Sequence, residues 1–114
     1  MDNPIRRAAR GEVCTLQIPF NVCHGDIQTT VLAHIPGKYV DGTGKTAGKV
    51  PDLSAVFACD RCHDWLDRRR FQRVWAYNRA PIILKALSRT HARLLEKGVI
   101  VVNKNSNEGD LETS

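Results

Sequence analysis

The chain has 114 residues, with 17 Lys and Arg against 12 Asp and Glu and a formal net charge of +5. That length suits one small domain with a modest core. No stretch approaches the length of a membrane span, and the basic balance points to a phosphate-bearing partner.

Residues 1–12 read as a basic arm carrying Arg6, Arg7 and Arg10. The stretch from Met1 to Arg10 is polar and basic and lacks the apolar segment of a secretory leader, so a cytoplasmic location is expected. Residues 13–24 hold Cys14 and Cys23 around an eight-residue loop, with a tight turn expected near Asn21 and Gly25. Residues 29–35 are β-branched and apolar and read as a short strand, ended by Pro36-Gly37. Residues 38–51 are a loop by composition. Asp41-Gly42-Thr43-Gly44-Lys45-Thr46 lacks the spacing of a phosphate-binding P-loop, and no apolar helix follows it.

Residues 53–58 are an apolar run leading into Cys59. A first helix is expected from near Asp60, taking in Trp65, Leu66, Phe71, Val74 and Trp75, aromatics that helical spacing assigns to the core. A second helix is expected from about Ala80 to Lys97, with Pro81 in its first turn and Gly98 as its C-terminal cap. Val99 to Val102 read as a terminal strand, and residues 103–114 as a polar, disordered tail. The domain proper is therefore 1–102.

Cys59-Asp60-Arg61-Cys62 is the most specific motif. Two thiolates three residues apart reach one ion from a single turn, and Cys14 and Cys23 supply a second pair, so a tetrahedral structural zinc is expected on four sulfurs. Two disulfides are the alternative, which a reducing compartment disfavours. A structural zinc contributes roughly 10–16 kcal/mol in small modules, more than the net stability of most domains. His24, next to Cys23, is a further candidate ligand. Four thiolates close the site, so catalysis would need other groups.

His63 and Asp67 are spaced i, i+4 on the expected helix and share a face. Imidazole and carboxylate suit a second divalent ion, Mg, Mn or Zn, with open positions. A charge pattern set by the helix dipole is the plainer reading of Asp64 and Asp67. His34 on its apolar strand is, taken alone, an ordinary core or surface residue, and its functional use would be as a general base. His91 reads as structural. Arg68, Arg69 and Arg70 form a second basic cluster beside the N-terminal arginines, a candidate grip on nucleic-acid phosphates.

A strand with a histidine, a loop, an apolar run into C-x2-C-H and a helix with a further ligand together resemble the HNH-type, ββα-metal endonucleases, whose zinc-stapled members hold a structural zinc on two cysteine pairs. The resemblance narrows on Arg6-Arg7-Ala8-Ala9-Arg10-Gly11, Cys14, Cys23, Val31-Leu32-Ala33-His34-Ile35, Pro51-Asp52-Leu53 and Ala58-Cys59-Asp60-Arg61-Cys62-His63-Asp64. These are similar to the prophage-encoded YbcO family, named as nucleases. The resemblance implies an α+β fold: a small ββα-metal, treble-clef-like domain with a structural zinc, plus a C-terminal helix and short strand. It implies His34 as general base, Asp52 near the place of the asparagine that orients the base, and His63 with Asp67 as ligands of a catalytic metal. Two positions depart from the HNH pattern. Ala33 stands where many members carry a metal-binding Asp or His, and Asp52 stands for an Asn.

Two functions follow. One is a metal-dependent endonuclease acting on phosphodiester bonds, with DNA as the expected substrate. The other is a non-catalytic zinc module that binds nucleic acid or a phage protein.

Overall fold

The computed structural model describes residues 3–36, 50–75 and 77–102. Residues 38–49 of the expected loop and the tail at 103–114 lie outside the described residues.

The basic arm contains a helix, α1, over Pro4–Ala8. Asn3 caps it by accepting the Arg6 N–H at 2.8 Å, and Pro4 takes the first helical position, where a missing N–H costs nothing. Ala8 and Ala9 are buried, so this part of the basic arm packs onto the fold. Small side chains here let the helix lie close to the strands.

Strand β1 spans Val31–His34 and strand β2 spans Ala55–Ala58. They pair antiparallel, with Val31 opposite Ala58 and His34 opposite Ala55. Alternation sends the two sets of side chains to opposite faces. Ala33, Ile35, Val56 and Ala58 join Cys14, Cys59, Cys62, Trp65 and Leu66 in one core. Leu32 and Phe57 join Ala8, Ala9 and Leu94 in a second. The sheet is thus covered on both faces, which a two-stranded hairpin needs for stability.

Helix α2 covers Asp60–Leu66 and lies on the first face. It is shorter than expected. Arg68 adopts a left-handed backbone (φ 60), its N–H bonds the Trp65 carbonyl at 3.1 Å, and the Arg69 N–H bonds the Asp64 carbonyl at 2.8 Å. This is a Schellman cap with arginine where glycine is usual. Phe71 is also left-handed, and residues 72–74 form a separate 3₁₀ turn. The expected aromatic core is nevertheless formed. Trp65 and Trp75 are buried with ring centroids 5.0 Å apart, and the Trp65 indole donates to the Val74 carbonyl at 3.0 Å.

Helix α3 spans Arg79–Glu96. Gly98 (φ 71) ends it as expected, with its N–H on the Leu95 carbonyl and that of Val99 on Leu94, both at 3.0 Å. The expected strand at Val99 to Val102 does not form. The Val99 and Ile100 N–H groups fold back onto the Leu94 carbonyl, and Val101 and Val102 are exposed. With its first two amides committed to the helix end, this segment joins no sheet edge among the described residues.

Helix α3 is tied to the hairpin by a buried hydroxyl pair. Thr15 Oγ1 donates to the Phe57 carbonyl at 2.9 Å, so the Thr90 hydroxyl is the donor in the 2.8 Å Thr15–Thr90 bond. The Phe57 N–H is shared between the two hydroxyl oxygens, at 3.1 and 3.3 Å. Thr90→Val removes one donor and one acceptor while keeping shape. It is expected to cost about 1–2 kcal/mol, measured by urea denaturation. A variant as stable as the parent would show that the pair contributes nothing.

Candidate active site

Four cysteines converge. Cys14 and Cys23 flank the turn at Pro19–Val22, Cys59 caps α2, and Cys62 lies in its first turn. Their sulfurs all lie within 4.8 Å of one another, and no disulfide joins them. Cys23 Sγ and Cys59 Sγ are 3.9 Å apart. Tetrahedral ligands at 2.3 Å from zinc stand about 3.8 Å apart, so the spacing fits zinc.

The backbone supports the same reading. N–H groups of Leu16, Gln17 and Cys59 bond Cys14 Sγ, that of Gly25 bonds Cys23, and that of Ile18 bonds Cys62. Gly25 makes its turn at φ 72, a conformation few other residues adopt without strain. The hydrogen bond from Cys62 brings the Cys14 thiol down to about 5, with the backbone N–H groups assisting. Cys62 is pushed up by that same bond and by burial. Burial, then the Cys14 charge, pushes Cys23 up to about 11. Three buried thiols and the half-buried Cys23, with backbone donors on three of the sulfurs, can bind a zinc ion, which would draw off the remaining protons.

His24 stands beside the cage, its ligand atom within 4.8 Å of those of Cys59 and Asp60. Its Nδ1 accepts the Asp26 N–H at 3.1 Å, so Nε2 carries the proton and donates to Asp60. That bond holds the Asp60 carboxyl below the usual range. The Asp60 N–H in turn bonds Thr29 Oγ1 at 3.2 Å. His24 therefore braces the cage by tying the Cys23 loop to the start of α2.

His34 and Asp52 meet. His34 Nε2 lies 2.6 Å from Asp52 Oδ1. Alternation along β1 sends His34 to the face of Leu32, toward α1, while Ala33 is fully buried on the α2 side. Asp52 sits in the turn closed by the Ser54 N–H on the Pro51 carbonyl at 2.9 Å. Its other oxygen accepts from Asn3 Nδ2 at 2.5 Å, and Arg6 Nη2 stands 3.7 Å from Oδ1. The bond to His34, then those from Asn3 and the charge of Arg6, hold its carboxyl below the ordinary range despite partial burial. An ionised carboxylate only accepts, so His34 Nε2 carries a proton, and in the neutral ring Nδ1 keeps the lone pair. His91 supports the turn by donating from Nε2 to the Leu53 carbonyl at 2.7 Å.

His63 and Asp67 lie together at the end of α2, with Nε2 3.2 Å from Oδ2. Arg69 already stands 3.4 Å from the same Asp67 oxygen. Among the described residues no third Cys, His, Asp or Glu completes this pair into a ligand cluster, and neither residue bonds His34 or Asp52. Ala33 supplies no donor from the strand.

The match of this chain to known proteins is extensive. The family described as "Putative nuclease YbcO" matches residues 3–99. The chain belongs to the YbcO family. It is 43% identical over 96 residues to "Putative nuclease YbcO" of Escherichia coli strain K12, covering 84% of this chain and 95% of that protein. The same figures hold for "Putative nuclease ybcO" of Enterobacteria phage 82. A solved structure of "a putative bacteriophage protein" from Escherichia coli K-12 MG1655 is 38% identical, with a TM-score of 0.60 over 83% of this chain and 100% of that one.

In this YbcO-family chain the two basic clusters differ in what they meet. Arg69 and Arg70 pair with Asp64 at 2.9 and 2.6 Å, and Arg68 stacks over Trp75 at 5.2 Å. Arg6, Arg7 and Arg10 are exposed on and just beyond α1. Sequence reasoning missed Asn3, although Asn before Pro is a helix-cap pattern.

The cage makes a direct prediction. Zinc added to the reduced, metal-free chain is expected to bind at about one equivalent and raise Tm by ten degrees or more. Cys62→Ser is expected to remove most of that rise. A melting temperature indifferent to zinc would contradict a metal role for the four sulfurs.

Proposed function

We propose that the chain is a nuclease that hydrolyses phosphodiester bonds in nucleic acid, with DNA as its substrate. The observation that carries this reading is the His34–Asp52 pair, set beside Arg6 on the α1 face. It is supported by the family's name and by the resemblance to HNH-type endonucleases, in which a strand histidine acts as base.

In this mechanism His34 Nδ1 takes a proton from water as the water oxygen attacks phosphorus. The bond from phosphorus to the leaving oxygen breaks, and that oxygen is protonated from solvent. Asp52 fixes the ring orientation and stabilises the imidazolium that forms, the role a buried carboxylate plays in a triad. Asn3 holds Asp52 in place. Arg6, Arg7 and Arg10 bind the phosphates, aided by whichever of Arg68, Arg69 and Arg70 the substrate draws from its present partner.

The resemblance also implies a divalent ion, Mg, Mn or Zn, at His63 and Asp67, where it would stabilise charge on the phosphate. Two protein ligands with an arginine already on the carboxylate are an incomplete donor set. The alternative, a non-catalytic zinc module that binds nucleic acid or a phage protein, is favoured by one observation, the alanine at position 33.

Plasmid nicking separates the two. With Mg, Mn, Co or Ni added in turn, the parent is expected to cut. His34→Ala is expected to lose about 10²–10⁴-fold in rate, and Asp52→Asn a smaller factor, with folds intact by circular dichroism. Salt-sensitive DNA binding without cleavage by the parent, unchanged in His34→Ala, would establish the binding module instead.

A further inference from the structure

Three buried threonines lie in the described structure, Thr15, Thr30 and Thr90. Thr15 and Thr90 bond each other and the Phe57 backbone. Thr30, 3% exposed, is different: its Oγ1 has no hydrogen-bond partner among the described residues. A buried hydroxyl left without a partner is costly, and such groups are rare in native folds.

Thr30 sits directly before β1 and lines a cleft of about 210 Å³ with Arg6, Arg10, Val31 and Leu32. The cleft walls carry two guanidinium side chains, one hydroxyl and no carboxylate. The volume is below the roughly 300–1,000 Å³ of small-molecule sites. It suits a single anionic group carried on a larger ligand. Arg6 reaches from this cleft to Asp52, which it approaches at 3.7 Å. The cleft and the His34–Asp52 pair thus share a side chain, and both lie along β1.

We propose that Arg6, Arg10 and Thr30 form a subsite for one backbone phosphate of a nucleic acid, at a linkage flanking the one that His34 faces. The hydroxyl of Thr30 donates to a phosphate oxygen, and the guanidinium groups supply charge-assisted bonds. Only the position relative to the cleaved bond rests on the nuclease reading; phosphate binding in the cleft does not. The orphaned hydroxyl is then a group kept for a ligand at some cost to the free protein.

That cost makes the test sharp. Oligonucleotide binding is measured by fluorescence anisotropy on full-length protein carrying His34→Ala, so that cleavage cannot intervene. Thr30→Val is expected to bind about tenfold more weakly while its Tm stays level or rises. Thr30→Ser is expected to keep the parent's affinity. Arg10→Gln should flatten the dependence of log affinity on log salt by about 0.9 on duplex. A neutral methylphosphonate moved along the strand should reproduce the loss at one linkage.

Thr30→Val binding as tightly as its parent would overturn the proposal. So would a fall in its Tm that accounts for the weaker binding, which would make the hydroxyl structural. Competition by millimolar inorganic phosphate, with every methylphosphonate tolerated, would make the cleft a small-anion site and also overturn it. If wild type cuts nothing yet the Thr30→Val loss appears, the nuclease reading fails and the subsite stands. If wild type cuts and Thr30→Val binds normally, the reverse holds.

Discussion

Four sulfurs within 4.8 Å of one another set the geometry of everything around them. Cys59 directly follows β2, is the cap residue of α2 and is a member of the cage. Its side chain makes no capping bond to the helix, so the sulfur is left to the cage. Cys14 and Cys23 bring a loop of turns against the same point, held by backbone N–H groups on sulfur and by the His24–Asp60 bond. Once α2 is fixed over one face of the hairpin, the faces of the two strands are no longer interchangeable. A one-residue slip would exchange them.

The chemistry of the other face follows from that choice. With Ala33 and Ile35 buried under α2, His34 must turn toward α1. There the turn at Pro51 presents Asp52, and α1 presents Asn3 and Arg6. Two side chains from α1 fix one carboxylate, which fixes one imidazole. Asn3 does two jobs, capping α1 with its carbonyl oxygen and bonding Asp52 with its amide. The position of the N-terminal helix is therefore part of the site. Ala33, the residue before His34, is buried on the opposite face, under α2.

Much of this was legible in the chain. The cysteine spacing gave the cage, the β-branched run gave β1, and Pro81 and Gly98 bracketed α3 because both signals act through local backbone geometry. The end of α2 was not legible, because its cap uses Arg68 in a left-handed conformation and no glycine marks it. Helix α1 hid under a run of arginines, although Asn3-Pro4 is a cap signature. Val99 to Val102 have strand composition, but the Val99 and Ile100 N–H groups go to the end of α3, and strand propensity depends on having a partner. The pairing of Arg69 and Arg70 with Asp64 depends on that same unforeseen turn. The orphaned hydroxyl of Thr30 is a tertiary fact that no local pattern encodes.

The account rests on which nitrogen of His34 is free. Long-range proton–nitrogen NMR on histidine-labelled protein, at a pH where the ring is neutral, reads the tautomer directly. The proton is expected on Nε2, facing Asp52, with Nδ1 showing the signal of a bare lone pair. Asp52→Ala should then give a mixture of tautomers. A proton on Nδ1 in the parent would contradict the placement of the base and the reaction built on it.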